Sequence, residues 1–385
     1  MRRSGLGFVA LAFACTVAMS ASALASGGTT PHRSAAHVAV RSSIRALKLP
    51  AHLAPGRATW TSAGTMHQAE EEAGGGAAIG AIGYTAGGIT AFNPDGTIAS
   101  LYNKMQIYNS TANTWSIDNQ PMPASTGGPL ADGAQCADSS HVYFINGIDQ
   151  SFLYSSLQVW DRTQPAGSRW SFKTFPQING KAYASQASGC AVLGGKVYLF
   201  GGYGIIQGQP AASLQKVTLV YDPATDTWSG TGKPMTTGAI WFGYTKAGGQ
   251  AWAAGGVGNL STFVPTPVVE SFSPSTGWAN RVPLPTPAGA DTPGLVAEGM
   301  GVLGNNLTVF GGAGLNQATN TFFIQNRQLI CTLPCTTGTW GVSPKTLIDG
   351  RWFLSYFSIG GTTPKLVAAG GDDTTGPIAT AEKNP

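Results

Sequence analysis

Few residues in this chain could do chemistry, and most of them fall in short polar stretches. Only 10% of the 385 residues are charged, so each one counts. Glu70, Glu71 and Glu72 run together, and Asp372 with Asp373 lies near the far end. Five carboxylates on one face would suit calcium, but a run of glutamates is ordinarily a solvated surface, and no metal, cofactor or catalytic residue is assigned. A second set pairs aromatics with amides and acids: Phe92 near Asn93 and Asp95, Tyr154 near Asp149 and Gln150, Tyr203 near Gln207, Phe263 near Asn259, Phe322 near Asn320. A sugar ring has apolar faces and a hydroxyl rim, which aromatic platforms beside amides suit. Arg351 could hold an acidic sugar or another carboxylate. The candidate ligand-binding residues are therefore Phe92, Tyr154, Tyr203, Phe263, Phe322, Arg351 and Asp372. Turns are built from Asn, Asp and Gly in any case, so the same residues also fit plain loop ends. His141 is the only histidine after residue 67, and no serine elbow stands near it, which argues against Ser/His/Asp hydrolysis.

Composition narrows the partners. Arg2 and Arg3, the apolar stretch Leu6 to Met19 and the small-residue triplet Ala23-Leu24-Ala25 read as a signal peptide over 1–25. The chain is thus expected to be secreted or periplasmic, with no membrane span. Residues 26–56 read as a flexible basic leader, or a short helix over Val38 to Leu47. The formal charge of +4 arises from seven Lys/Arg before Glu70, the first acidic residue. The remainder holds 15 basic residues against 18 acidic ones, so there is no basic face for nucleic acid. Cys331 and Cys335 are close enough in sequence to close a turn by a disulfide in an oxidising compartment. Cys136 and Cys190 hold near-equivalent places in neighbouring repeats; they either meet or remain buried thiols. Asn109, Asn259 and Asn306 open glycosylation sequons, which act only in a eukaryotic host.

The elements that must position these residues repeat six times. A glycine pair ends an apolar run at Gly87-Gly88, Asn146-Gly147, Gly201-Gly202, Gly255-Gly256, Gly311-Gly312 and Gly370-Gly371. Trp115, Trp170, Trp228, Trp278 and Trp340 follow the first five. Each copy divides into four short runs bounded by Gly, Pro or Asp, which read as strands a to d. In the third copy Val197 to Phe200 is apolar on both faces, as a strand covered on both sides must be. Repeats of about 50 residues with such marks indicate a β-propeller. The last copy lacks strand d, while Trp60 stands in an orphan strand near residues 58–62, so the N-terminal strand should close the ring. The fifth copy has no aromatic seven residues before Trp340, and the Cys331/Cys335 pair sits there instead.

A double glycine followed by an aromatic and a tryptophan about seven apart (Tyr108/Trp115, Tyr221/Trp228) resembles the Kelch repeat. The resemblance covers residues 57–385 and implies an all-β fold, a six-bladed Kelch β-propeller closed by an N-terminal strand. It implies that the b–c and d–a loops share one face around a central channel. It says less of function, since Kelch propellers include adaptors, sugar-binding proteins and some enzymes. Galactose oxidase resembles the chain as a secreted Kelch propeller, but it has seven blades and a copper held by tyrosines and two histidines, and His141 is the only histidine here after residue 67. Periplasmic sialic-acid mutarotases are similar in length, yet no Glu/Arg pair here matches by motif. The expected role is a monomeric, non-catalytic binding module for a glycan or an extracellular protein. The alternative is a carbohydrate-active enzyme such as a sugar mutarotase.

Overall fold

A computed structural model of the chain describes residues 32–33, 60–72, 74–123, 129–360, 364–373 and 375–384. The signal peptide and the expected helix at Val38 to Leu47 lie outside the described residues. Those described are all β and loop, with no helix.

Six antiparallel sheets share one strand order. Sheet I runs Ala77–Ile79, Ile82–Ala86, Met105–Asn109, Thr114–Asp118. Sheet II runs Ala134–Ala137, His141–Ile148, Phe152–Asp161, Trp170–Phe172. Sheet III runs Gly189–Leu193, Lys196–Phe200, Thr218–Asp222, Thr227–Gly230. Sheet IV runs Gly243–Ala247, Gln250–Ala254, Val269–Ser273, Gly277–Asn280. Sheet V runs Val296–Leu303, Asn306–Asn316, Arg327–Thr332, Gly341–Thr346. Sheet VI runs Ser355–Ile359, Lys365–Ala369, Thr380–Lys383, and then the N-terminal Thr61–Thr65, whose Thr61 faces Lys383. The first strands of the six sheets touch in cyclic order, and the strand from sheet VI touches that from sheet I. Such an arrangement is of the propeller type.

The sequence marks act between sheets. Tyr108 and Trp115, Tyr221 and Trp228, and Phe272 and Trp278 lie with ring centroids 5.1, 5.2 and 5.3 Å apart. They fill the outer wedge, where neighbouring sheets splay. Indole N–H groups then stitch sheet to sheet: Trp115 Nε1 donates to Ala63 O at 2.9 Å, Trp340 Nε1 to Val282 O at 2.9 Å. Trp60 packs on Phe310 at 5.1 Å and donates to Gln328 Oε1 at 3.1 Å, joining sheets VI and V. The glycine pairs serve the inner end. The second glycine donates its N–H to the next sheet's entering loop: Gly256 to Leu295 O, Gly312 to Arg351 O, and across the closure Gly371 to Glu70 O, each at 2.8 Å. The first glycine has φ 73° at Gly87 and 61° at Gly370, and a Cβ there would lie 2.2 Å from Leu130 O and 2.5 Å from Glu70 O. Only glycine fits that backbone-to-backbone approach.

Both cysteine pairs lie at disulfide distance, with Cα–Cα separations of 5.8 Å for Cys136/Cys190 and 5.7 Å for Cys331/Cys335. Of the two alternatives for Cys136 and Cys190, the pair meets, and it staples the first strands of sheets II and III. Two further features lie outside the sequence reading. His32–Arg33 pairs with Phe152 and Leu153, inside the span read as a flexible leader. A side sheet of Gln177–Ile178, Lys181–Gln186, Tyr203–Ile206 and Ser213–Leu214 packs on the long strands of sheet II and reaches sheet III through Gln177–Ile178.

Candidate functional site

One position recurs where the chain enters each sheet: Glu72, Asp132, Ala187, Trp241 and Phe353 stand before the first strand, and Ala297 is the second residue of its own. All six have left-handed backbone, from φ 49° at Ala187 to 57° at Ala297. Five backbone hydrogen bonds chain them together. Asp132 N donates to Glu72 O (2.6 Å), Ala187 N to Asp132 O (2.8 Å), Glu72 N to Phe353 O (3.0 Å), Phe353 N to Ala297 O (3.0 Å), and Ala297 N to Trp241 O (2.8 Å). These links are made by backbone groups, so the side chains along this ring are free to differ. Bulky residues rarely accept positive φ, which makes Trp241 and Phe353 conspicuous.

Beneath the ring lies a cavity of about 40 Å³, lined by Glu72, Asp132, Trp241, Phe353, Glu298 and Tyr244 among others. Trp241 lines it from one side: Nε1 donates to Asp132 Oδ2 at 3.3 Å, and the ring meets Phe353 edge-on at 5.4 Å. The floor is polar. Tyr244 Oη donates to Gly74 O at 2.5 Å and accepts from Gln135 N at 2.8 Å, while Tyr356 Oη accepts from Tyr244 N at 2.9 Å. Tyrosines from sheets IV and VI thus meet in the floor of the cavity. Glu298 is 2% exposed; Oε1 accepts from Gly243 N at 3.3 Å, and Oε2 has no protein partner. Burial raises its pKa from 4.5 to about 8, so the group is a neutral acid near pH 7.

Hairpins rise around this mouth. They are Ile89–Phe92 with Ile98–Leu101, the end of the long pair in sheet II, Tyr203–Ile206 with Ser213–Leu214, and the end of Asn306–Asn316 with Thr321–Ile324. Their tips, including Asn93, Gln150, Gln209 and Gln317, are exposed. The bases of the last two join ring residues in one apolar cluster, where Phe322 packs on Trp352 at 6.0 Å and Trp352 on Phe353 at 4.8 Å, while Ile89, Ile98, Ile148 and Leu153 of the first two form a separate cluster.

The candidate residues of the sequence divide by exposure. Phe92, Tyr203 and Phe263 are half-buried on the hairpin side, with Tyr203 and Phe263 against the mouth cluster. Phe322 is 1% and Tyr154 2% exposed, and Tyr154 Oη donates to Asp149 Oδ2 at 2.6 Å. These two are supports for the hairpins, not open platforms. Arg351 is wholly buried: it pairs with Glu382 at 2.5 Å and donates to Gly370 O and Thr380 O. Its charge is spent inside sheet VI. Asp372 is buried and forms a backbone bridge with Trp352.

The glutamate run is not solvated. Glu70, Glu71 and Glu72 are all buried. Thr85 and Gln106 donate to the Glu70 carboxylate at 3.1 and 2.8 Å, and burial raises its pKa to about 8. The Glu70 carboxylate is thus held by side chains of sheet I. Among the described residues no three of His, Cys, Asp and Glu converge as a metal site. Sequence reading missed Glu298, Asp132, Trp241, Phe353 and Tyr244. The signal was available: aligning Gly189, Gly243 and Gly299 in the first strands of sheets III, IV and V brings Trp241 into register with Ala187 and Ala297, and Glu298 into register with Ser188 and Phe242.

No protein-family model matches the chain, and no curated protein does. Among solved structures, that of YjhT is similar with a TM-score of 0.59 at 17% identity, over 83% of this chain and 95% of that one. At that identity the likeness is one of fold, and it supports a propeller-type fold.

Proposed function

We propose that the chain is a secreted or periplasmic six-bladed Kelch-type propeller, closed by its N-terminal strand, that binds a glycan on the hairpin side without catalysis. The signal-like N-terminus and two cysteine pairs at disulfide distance support the compartment. The observation that carries the binding role is the rim itself. Four hairpins raise exposed amides and half-buried aromatics around one mouth, spread over several sheets, as recognition of an extended polar ligand requires. Phe92, Tyr203 and Phe263 remain the contact candidates. Tyr154, Phe322, Arg351 and Asp372 act beneath them. A glycan array with purified residues 26–385 tests this. Retention of a coherent set of glycans is expected; a blank array together with capture of extracellular protein would assign the rim to protein recognition.

The mutarotase reading draws on Glu298. A buried acid poised near neutral pH, close to two tyrosines, is the kind of group that exchanges protons with a substrate. It lacks support from Arg351, which is committed to Glu382. Anomer exchange of sialic acid and of common hexoses, followed by NMR, separates the two readings. No acceleration over buffer is expected.

A further inference from the structure

We propose that the cavity under the ring receives one primary ammonium group, held by the Glu298 carboxylate and walled by the rings of Trp241 and Phe353. The inference rests on the hairpin side being the ligand side, and it names the group that a ligand would insert.

Three observations carry it. Glu298 is buried, lines the cavity and has one carboxylate oxygen with no protein partner. A buried polar atom left without a partner is costly, so a ligand or water that meets it gains correspondingly. Next, the walls combine acids with aromatic faces: Asp132 and Glu72 stand on the ring beside Trp241 and Phe353. Carboxylates with π faces suit an organic cation. Last, size selects among cations. About 40 Å³ accommodates a water-sized head group, which an ammonium is and a planar guanidinium is not. A directly coordinated metal would need convergent ligands, and no three of His, Cys, Asp and Glu among the described residues provide them.

The rim above the cavity is nearly shut. Ala187, Trp241, Ala297 and Phe353 keep 5–7% of their surface exposed. Admission therefore requires Trp241 to swing from Asp132, and its fluorescence should report the event. The cation also displaces a proton from Glu298, so uptake should strengthen as pH rises from 6 to 8. The other titratable groups lining the cavity are Glu72, Asp132, Tyr244 and Tyr356.

The ammonium could belong to an amino sugar or to a lysine side chain. Methylammonium chloride is the minimal probe, titrated into the full mature chain by calorimetry and tryptophan fluorescence at constant ionic strength. Sodium chloride serves as control. Saturable binding is expected, tighter at pH 8 than at pH 6, and at least tenfold weaker in Glu298→Gln. Trp241→Leu, which removes one π wall, should weaken it as well, and circular dichroism confirms that both variants fold. Glucosamine against N-acetylglucosamine, and Nα-acetyl-lysine amide against its Nε-acetylated form, then identify the source. Absence of saturable binding beyond the sodium control, or binding unaltered in Glu298→Gln, overturns the proposal. Array binding to glycans without amines, alongside a silent methylammonium titration, would sink this inference and leave the glycan reading standing. Methylammonium binding with a blank array would do the reverse.

Discussion

The outer wedge and the channel mouth solve the same problem of joining sheets in opposite ways. In the wedge the side chains repeat: an aromatic and a tryptophan fill the space, and the indole N–H reaches the neighbouring sheet. At the mouth the backbone repeats, through one left-handed residue per sheet and a chain of hydrogen bonds, while the side chains are Glu, Asp, Ala, Trp, Ala and Phe. A position whose structural work is done by backbone is open to functional choice. The wedge should therefore be sensitive to substitution in stability, and the mouth in binding.

The largest effect should come from breaking the closure. Deleting residues 1–64 removes Trp60 and most of the fourth strand of sheet VI, and with them the Ala63 acceptor of Trp115. Light scattering should show aggregation from the bared sheet edge. A truncated chain that stays monomeric with unchanged melting would refute the N-terminal closure. Next is the wedge itself. Trp228→Ala empties space beside Tyr221 and drops the hydrogen bond to Thr174 O, at a cost of about 3–5 kcal/mol in denaturant unfolding.

A smaller effect comes from the buried acids. Glu70 and Glu298 keep their protons in the folded chain up to about pH 8, against an ordinary value of 4.5 when unfolded. Between those values the folded state binds more protons, so stability falls as pH rises, by at most about 1.4 kcal/mol per pH unit for each group. Glu298→Gln should flatten the decline in melting temperature from pH 5 to 8; an unchanged slope would mean that Glu298 is ionised in the fold.

The smallest effect on stability belongs to the rim. Replacing the exposed Gln150, Gln209 and Gln317 by Ala should shift stability by less than about 0.5 kcal/mol each, the range for surface positions away from packed features. Their glycan binding should fall all the same. Tyr154→Ala and Phe322→Ala are poorer probes of binding, because both side chains are buried and their loss disturbs the hairpins.

What the sequence made legible follows the same division. The glycine pairs were readable because a side chain would meet the next sheet's carbonyl, as at Gly370 against Glu70 O, and Asn146 alone replaces a glycine there, with the same left-handed backbone. The tryptophans were readable because only large rings fill the wedge, and the orphan Trp60 pointed to the closing strand. The mouth was not readable by type. Its six positions share a backbone angle and no residue preference, so only a register alignment finds them. Burial reversed the expectation for Glu70 to Glu72, since a charge run looks the same in sequence whether solvated or enclosed. It also withdrew Arg351, whose partner Glu382 lies on the third strand of the same sheet.

The central claim is that ligand recognition belongs to the hairpin side of the molecule. It is tested most directly by one glycan array probed in parallel with the mature chain and with the variant carrying Gln150→Ala, Gln209→Ala and Gln317→Ala. The account predicts glycans retained by the first and lost or weakened at least severalfold in the second, with equal melting temperatures. Equal retention by both proteins would place the binding surface elsewhere and contradict it.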